Sequence, residues 1–203
     1  MTLDRLFCYT RIRFSGPGWQ HGWPGLRTRL EAGLQNTGAS IWGAFSGYFG
    51  LATNELVLLT HGHSGQALPP DVLTHVTLVE QNWLKPTVRP TTVPAPLERP
   101  GLYVFRAFTT APEHVAEMAA LSRQAWETFE DPTRYAAEPM ALFASVDLTS
   151  TTTRMLLLTW YDGFESWEKS RVVTPEARDC FDRRQALTQG ALPIATTLVR
   201  AIG

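Results

Sequence analysis

The chain of 203 residues has little charge: Lys, Arg, Asp and Glu make up only 18% of it, against about 25% in an average soluble protein. The 18 basic and 19 acidic side chains nearly cancel, leaving a net charge of −1. Without a basic surplus, no nucleic-acid partner is expected, because phosphates must be neutralised by Lys and Arg. No apolar run approaches the roughly 18 residues of a membrane helix, so no membrane partner is expected either. Only two cysteines occur, Cys8 and Cys180. They are too few for a disulfide framework and read as reduced structural thiols. Met1–Leu6 has no long apolar stretch and no small-residue cleavage site, so no secretory signal is visible and a cytoplasmic location is expected. Dinucleotide fingerprints, phosphate loops, nucleophile elbows and paired-Cys zinc motifs are all missing.

Aromatic residues are plentiful instead, at 11%, with 10 Phe, 7 Trp and 5 Tyr. That content excludes a disordered chain. It also exceeds what one ordinary core of this size needs.

Three segments recur in the same order in the two halves. Tyr9–Phe14 reads against Tyr103–Phe108, Leu56–Thr60 against Met155–Thr159, and Thr77–Glu80 against Thr197–Arg200. Their offsets, 94, 99 and 120 residues, grow as insertions between strands would make them. Lys85–Pro100 lies between the halves and holds five prolines, which favours an extended, semi-rigid connector. The expected organisation is a first unit over 1–84, a linker over 85–100 and a second unit over 101–203.

Each half parses as βαββαβ, the order of a ferredoxin-like unit. In the first, strands are expected at Leu6–Phe14, Ser40–Phe49, Glu55–His61 and Val76–Trp83, with helices at Pro24–Asn36 and near Pro70–His75. In the second, strands are expected at Gly101–Thr109, Met140–Leu148, Arg154–Tyr161 and Ile194–Ile202. A helix should start at Thr110 as N-cap, with Glu113 completing a capping box, and stop at Asp131-Pro132. Further helix starts fall at Asp162 and at Thr174-Pro175-Glu176. A ferredoxin-like sheet carries helices on one face only, so its other face needs a partner. The fold class expected is α+β, two tandem units packed sheet to sheet as one barrel.

Leu156–Arg171, LLLTWYDGFESWEKSR, is a strand ending in an aromatic and polar turn, then a short helix with Trp167 three residues after Phe164. This stretch and the repeated βαββαβ order resemble the dimeric α/β-barrel superfamily. The nearest likeness is to its NIPSNAP branch and to small antibiotic-biosynthesis monooxygenases. The resemblance implies an enzyme, with cofactor-free oxygenases, haem enzymes, cyclases and isomerases all on this scaffold. Haem-degrading members carry an axial histidine after the motif helix, whereas Cys180–Gln185 here has arginines and no histidine. If haem binds, His75 in the first half is the expected ligand.

His61-Gly62-His63 is the sharpest local pattern. Strand residues two apart share a face, so two imidazoles could meet one metal, with His21, His75 or Glu80 as a third ligand. Alternatively the pair sits at a strand end as pocket bases, or is simply hydrated. Against the repeat, His61 matches Trp160 and His63 matches Asp162, so Asp162 is read as a base or as the cap of the next helix. His75 reads as a cofactor ligand or as a helix-end residue. Trp160, Tyr161 and Arg106 are expected at a substrate pocket, with Arg106 binding an anion or pairing with a buried acid. Trp19 and Trp23 flank His21 in a glycine-bearing loop and read as a lid over an apolar ligand or as a cover for the barrel end. Arg178, Arg183 and Arg184 read as a solvated helix face.

The expected function is a monooxygenase-like oxidation of an apolar or aromatic, polyketide-like metabolite of secondary metabolism. The alternatives are a haem- or metal-binding protein using first-half histidines, a non-catalytic carrier, and a lyase or cyclase. Haem, a transition metal and no cofactor all stay open. Further homo-oligomerisation is compatible with the sequence.

Overall fold

Nine-residue runs rich in β-branched and aromatic residues alternate with helices along the chain. The computed structural model describes residues 5–35, 37–62, 72, 74–147 and 149–200. The first half gives β1 (Leu6–Phe14), α1 (Trp23–Gln35), β2 (Ser40–Phe49), β3 (Glu55–Gly62) and β4 (Val76–Pro86). The second gives β5 (Leu102–Thr110), a 3-10 turn (Pro112–His114), α2 (Val115–Phe129), β6 (Ala137–Ser145) and β7 (Thr153–Tyr161). It continues with α3 (Phe164–Lys169), α4 (Pro175–Ala186) and β8 (Gly190–Leu198). None of the described helices is long and apolar enough to cross a membrane.

The eight strands close into one barrel in the order β1-β3-β2-β8-β5-β7-β6-β4, every neighbouring pair antiparallel. Within it the halves read β4-β1-β3-β2 and β8-β5-β7-β6, the same order twice. The β2–β8 pair, over Phe45–Phe49, and the β4–β6 pair, over Leu84–Pro86, join them and close the ring.

Several boundaries differ from the sequence reading. β6 and β8 begin three and four residues early, because their prolines fall where a strand tolerates a missing donor. Pro139 sits at a register shift against β7. Pro193 lies in the stretch of β8 that pairs with β5 before β2 joins at Ala195. Thr110 is not a helix cap: it ends β5, and its hydroxyl donates to the Leu187 carbonyl at 2.7 Å. Asp162 is not a cap either, since Gly163 precedes α3 with no side-chain cap. Thr174 does cap α4, accepting from the Ala177 amide. The helix expected near Pro70–His75 lies mostly outside the described residues.

Strand alternation sends one face of each strand into the barrel. Phe7, Tyr9, Trp42, Phe45, Tyr103, Phe105, Phe143 and Trp160 meet there with aliphatic residues. Their rings pack edge-on and tilted, with Phe7–Phe143 at 4.7 Å and Phe45–Phe105 at 5.0 Å between centroids. One end of the barrel is polar. Glu55, 2% exposed, is held by Arg11 at 3.2 Å and Arg13 at 2.7 Å, and Glu80 is held by Arg154.

The connector seals the other end. Its Leu97 amide bonds Trp42, the Pro100 carbonyl accepts the Trp160 indole N–H at 2.9 Å, and Arg99 lies 3.4 Å over the Trp160 ring. These contacts anchor the largely exposed connector to the barrel, and its first residues, Lys85 and Pro86, extend β4. Gly101, at φ +145°, lets it turn into β5, where a Cβ would strike the Tyr161 carbonyl and the Trp160 indole.

Phe143 is fully buried and touches rings from two other strands. Phe143→Ala is expected to destabilise the protein by about 3–5 kcal/mol through an unfilled cavity, measured as a lowered urea midpoint.

Candidate active site

The outward faces of the two halves are covered differently. In the first half, Ile12, Phe14, Leu56 and Leu58 pack beneath Trp23, Leu26 and Leu30 of α1 as one cluster. In the second, the outward residues divide among three smaller clusters. Between that sheet face and its helices lies a cavity of about 610 Å³, within the range typical of small-molecule sites.

Alternate residues supply its floor: Val104, Arg106 and Phe108 from β5, and Leu157, Thr159 and Tyr161 from β7. Trp126 and Phe129 of α2 and Phe181 and Arg184 of α4 form the roof. Trp167, Arg171 and Arg178 lie on the rim. The walls are thus aromatic, but four guanidiniums face the space against a single carboxylate, Asp182. None of the four makes an ion pair among the described residues.

Arg184 is 5% exposed and stacks between the Phe108 and Phe181 rings at 4.9 Å each, donating to the Ser122 hydroxyl at 3.0 Å. Burial, and then the charge of Arg106, push its pKa down to about 10. It stays cationic at neutral pH. Burial likewise lowers the Arg106 pKa, and Arg171 adds repulsion. Burial raises the Tyr161 phenol, more than hydrogen bonding to Ser170 and the nearby Arg106 lower it. Tyr161 is therefore a neutral donor.

Of the residues read in the sequence as site candidates, Arg106 and Tyr161 line this cavity. Trp160, one residue earlier than Tyr161, points into the barrel. His61, 4% exposed, packs against barrel-lining Phe7 at 5.5 Å. Its Nδ1 accepts from Arg5 at 2.9 Å, since a guanidinium can only donate, and Nε2 meets the Ser40 hydroxyl at 3.2 Å. Both ring nitrogens are thus engaged, which corrects its reading as a pocket base. Asp162, His21 and His75 are exposed. Trp23, the first residue of α1, is buried in the apolar cluster under that helix, and the half-buried Trp19 packs against the same cluster. His63 lies outside the described residues.

The solvated-face reading of Arg184 is also corrected. The signal was present: Ala177, Cys180 and Arg184 are the buried positions of α4, a three-and-four spacing that places Arg184 on the apolar stripe. Trp126, Phe129 and Phe181 gave no separate sequence signal, because core and pocket aromatics share the same helical spacing.

A haem would need an axial donor facing a sufficiently large cavity. The second-half cavity is lined by no His, Cys or Met, and its phenol is held neutral. No cluster of three or more His, Cys, Asp or Glu suited to a metal exists among the described residues. The second-half cavity therefore offers no such ligand to a haem or metal, and the His61–His63–His21 set includes a residue outside those described.

No protein-family model matches the chain, and no curated protein sequence matches it. Solved structures do share its fold. An anthrone oxidase-like protein superposes with a TM-score of 0.62 at 13% identity, over 97% of this chain and 92% of the other. A candidate monooxygenase from Lactobacillus acidophilus NCFM gives 0.59 at 10% identity, over 98% and 94%. Chlorite dismutase from Candidatus Nitrospira defluvii gives 0.61 at 9% identity, over 97% and 92%. The chain has the dimeric α/β-barrel fold. At these identities the likeness carries the fold and no reaction.

Burial, and then the Arg5 charge, lower the His61 pKa from 6.5. A depressed folded-state pKa gives stability that is present above pH 6.5 and lost as pH falls through the folded value. Urea midpoints should therefore drop from pH 7.5 to pH 5, and His61→Gln should flatten that slope. An unchanged slope in the variant would show that other groups cause it.

Proposed function

We propose that the chain is a small-molecule enzyme working in the outer cavity of its second half, by a monooxygenase-type oxidation of an aromatic metabolite. The observation that carries this reading is the cavity itself: about 610 Å³, aromatic walls, one neutral phenol and an excess of cations. The names of two fold neighbours, an anthrone oxidase-like protein and a candidate monooxygenase, support the choice of reaction.

Oxidation without a cofactor requires a substrate that supplies the electrons. A ring methylene activated as in an anthrone meets this need. Asp182, the one carboxylate on the lining, takes a proton from the methylene and leaves an enolate. The cationic lining of the cavity favours that charge, and Tyr161 donates to the enolate oxygen. The carbanion carbon bonds to O2, and the resulting peroxide takes a proton. Loss of water then breaks the O–O bond and leaves a carbonyl. The methylene gives four electrons; one oxygen atom stays on carbon and the other leaves in water. Aromatic walls exclude water from the enolate.

The matching strand orders of the two halves support a tandem duplication of one ferredoxin-like unit, of the NIPSNAP-like kind. Tyr48, Phe49 and Phe164 form an exposed aromatic cluster, which suits the expectation of further self-association. Secondary metabolism and a cytoplasmic setting complete the reading.

An oxygen electrode with anthrone as probe should show uptake of one O2 per anthraquinone formed. Asp182→Asn and Tyr161→Phe should each lower kcat by about 10- to 100-fold while the folded state persists. Binding without oxygen uptake would replace this reading with a carrier. Consumption without oxygen would replace it with a lyase or cyclase.

A further inference from the structure

The guanidiniums of the outer cavity are more than a lining of that site needs for an apolar ligand. Buried charges normally come paired, because an uncompensated ion in a low-dielectric setting is costly. Several half-exposed arginines elsewhere are paired all the same, although Arg29 makes no ion pair among the described residues. In the smaller first-half cavity of about 280 Å³, the one arginine, Arg27, is paired to Glu31 at 2.7 Å. At the polar barrel end, Arg11, Arg13 and Arg154 all have carboxylate partners. In the second-half cavity the rule breaks. Arg106 has neither a carboxylate nor another hydrogen-bond acceptor among the described residues, Arg184 has only the neutral Ser122 hydroxyl, and Arg171 and Arg178 have no ion pair.

The rings of Phe108, Phe181 and Trp126 stand around these cations. They fix Arg184 in place but cannot neutralise it. An anion must come from outside the described protein, and the aromatic walls state the frame it should carry. Planar guanidiniums present donors in a fork that matches a carboxylate.

We infer that the natural ligand of this cavity is an aromatic carboxylate, with Arg106 and Arg184 as its anion clamp. This deepens the proposed function and rests on the outer cavity being the ligand site. The carboxylate charge is permanent, so it anchors the substrate before any proton is removed from the reacting carbon. It also accounts for two neighbouring cations with no protein carboxylate to pair them among the described residues.

Calorimetric titration with 2-naphthoate and its neutral isostere 2-naphthamide tests this directly, since neither has an activated methylene to oxidise. The acid should bind about tenfold or more tightly than the amide, the usual gain of a charge-assisted over a neutral contact. The preference should shrink with added salt. Arg106→Gln should bring acid and amide to within about twofold of each other. Arg106→Leu should raise Tm while abolishing acid binding, because it removes an unpaired, partly desolvated charge; a merely structural arginine would lower Tm. Equal affinity for acid and amide, or binding of neither at millimolar concentration, would overturn the inference. If the Arg106 variants do not fold, the acid-to-amide ratio of the wild-type protein decides alone. Selective acid binding with no oxygen uptake by any substrate would keep this inference and remove the monooxygenase reading. Oxygen uptake with neutral anthrone and no acid preference would do the reverse.

Discussion

Barrel closure is the constraint on which the rest depends. Once β2 pairs with β8 and β4 with β6, each over part of its length, the ring closes and the inner side chains of all eight strands face one enclosed space. A barrel of eight strands is just wide enough for side chains to fill, and here large rings do so: Phe7 against Trp42 and Phe143, Phe45 against Tyr103 and Phe105. Edge-on packing orients each ring's positive rim at a neighbour's face, so the interior is specific as well as apolar. The outward faces are covered in turn by helices. Strand positions for charge are therefore confined to the two barrel ends and to any gap beneath the helices, which accounts for the low charge of the chain.

The interior aromatics fill most of the lumen and leave a cavity of about 390 Å³ at its polar end, where Tyr9, Phe105 and Leu156 meet Arg11, Glu80 and Arg154. The larger space lies outside the barrel. His61 and Trp160, at corresponding ends of β3 and β7, serve as closing pieces for the barrel end, each tied by hydrogen bonds to the segments that cover it. That outer space is left where the packing of the two halves diverges. The first half seats α1 into a continuous apolar cluster, whereas α2 and α4 of the second pack on each other and stand off the sheet around Arg106 and Tyr161.

Most of the architecture was legible in the sequence, because strand alternation and the repeated segments are backbone-scale signals. Strands β1, β2 and β3 fall within a residue of where the pattern places them. The errors arise where side-chain chemistry served two purposes. Thr110 has the sequence of a helix cap but spends its hydroxyl on Leu187 across the fold. Pro139 and Pro193 read as strand breakers, yet sit at a bulge and at a singly paired stretch. The histidine pair drew attention as chemistry because imidazoles are rare, and for His61 the burial that makes it structural is a long-range property. Arg106 and Tyr161 stood out in the sequence and line the outer cavity: one is a cation in an apolar strand, the other a polar ring at a strand end. Arg184 was hidden, since a cation on a polar helix ordinarily means solvent, and only its place in the Ala177–Cys180 stripe distinguishes it.

The unequal halves make sense as a division of labour under the closure constraint. Barrel closure requires both halves to contribute matching strands, so neither can diverge in its sheet without opening the ring. The helical layer is free of that requirement. Loss of packing there costs only local burial, and an unpaired cation beneath it costs only local desolvation, provided the barrel holds the floor rigid. Arg106 illustrates the coupling: it stands on β5 opposite Leu157 of β7 and Pro193 of β8, in a ladder paired on both sides. Its backbone cannot yield to repulsion from Arg184, so the electrostatic strain stays in the cavity, where an incoming anion can relieve it. A stiff, ring-filled barrel is thus the condition that lets this chain keep a poorly compensated, positively charged cavity on its surface.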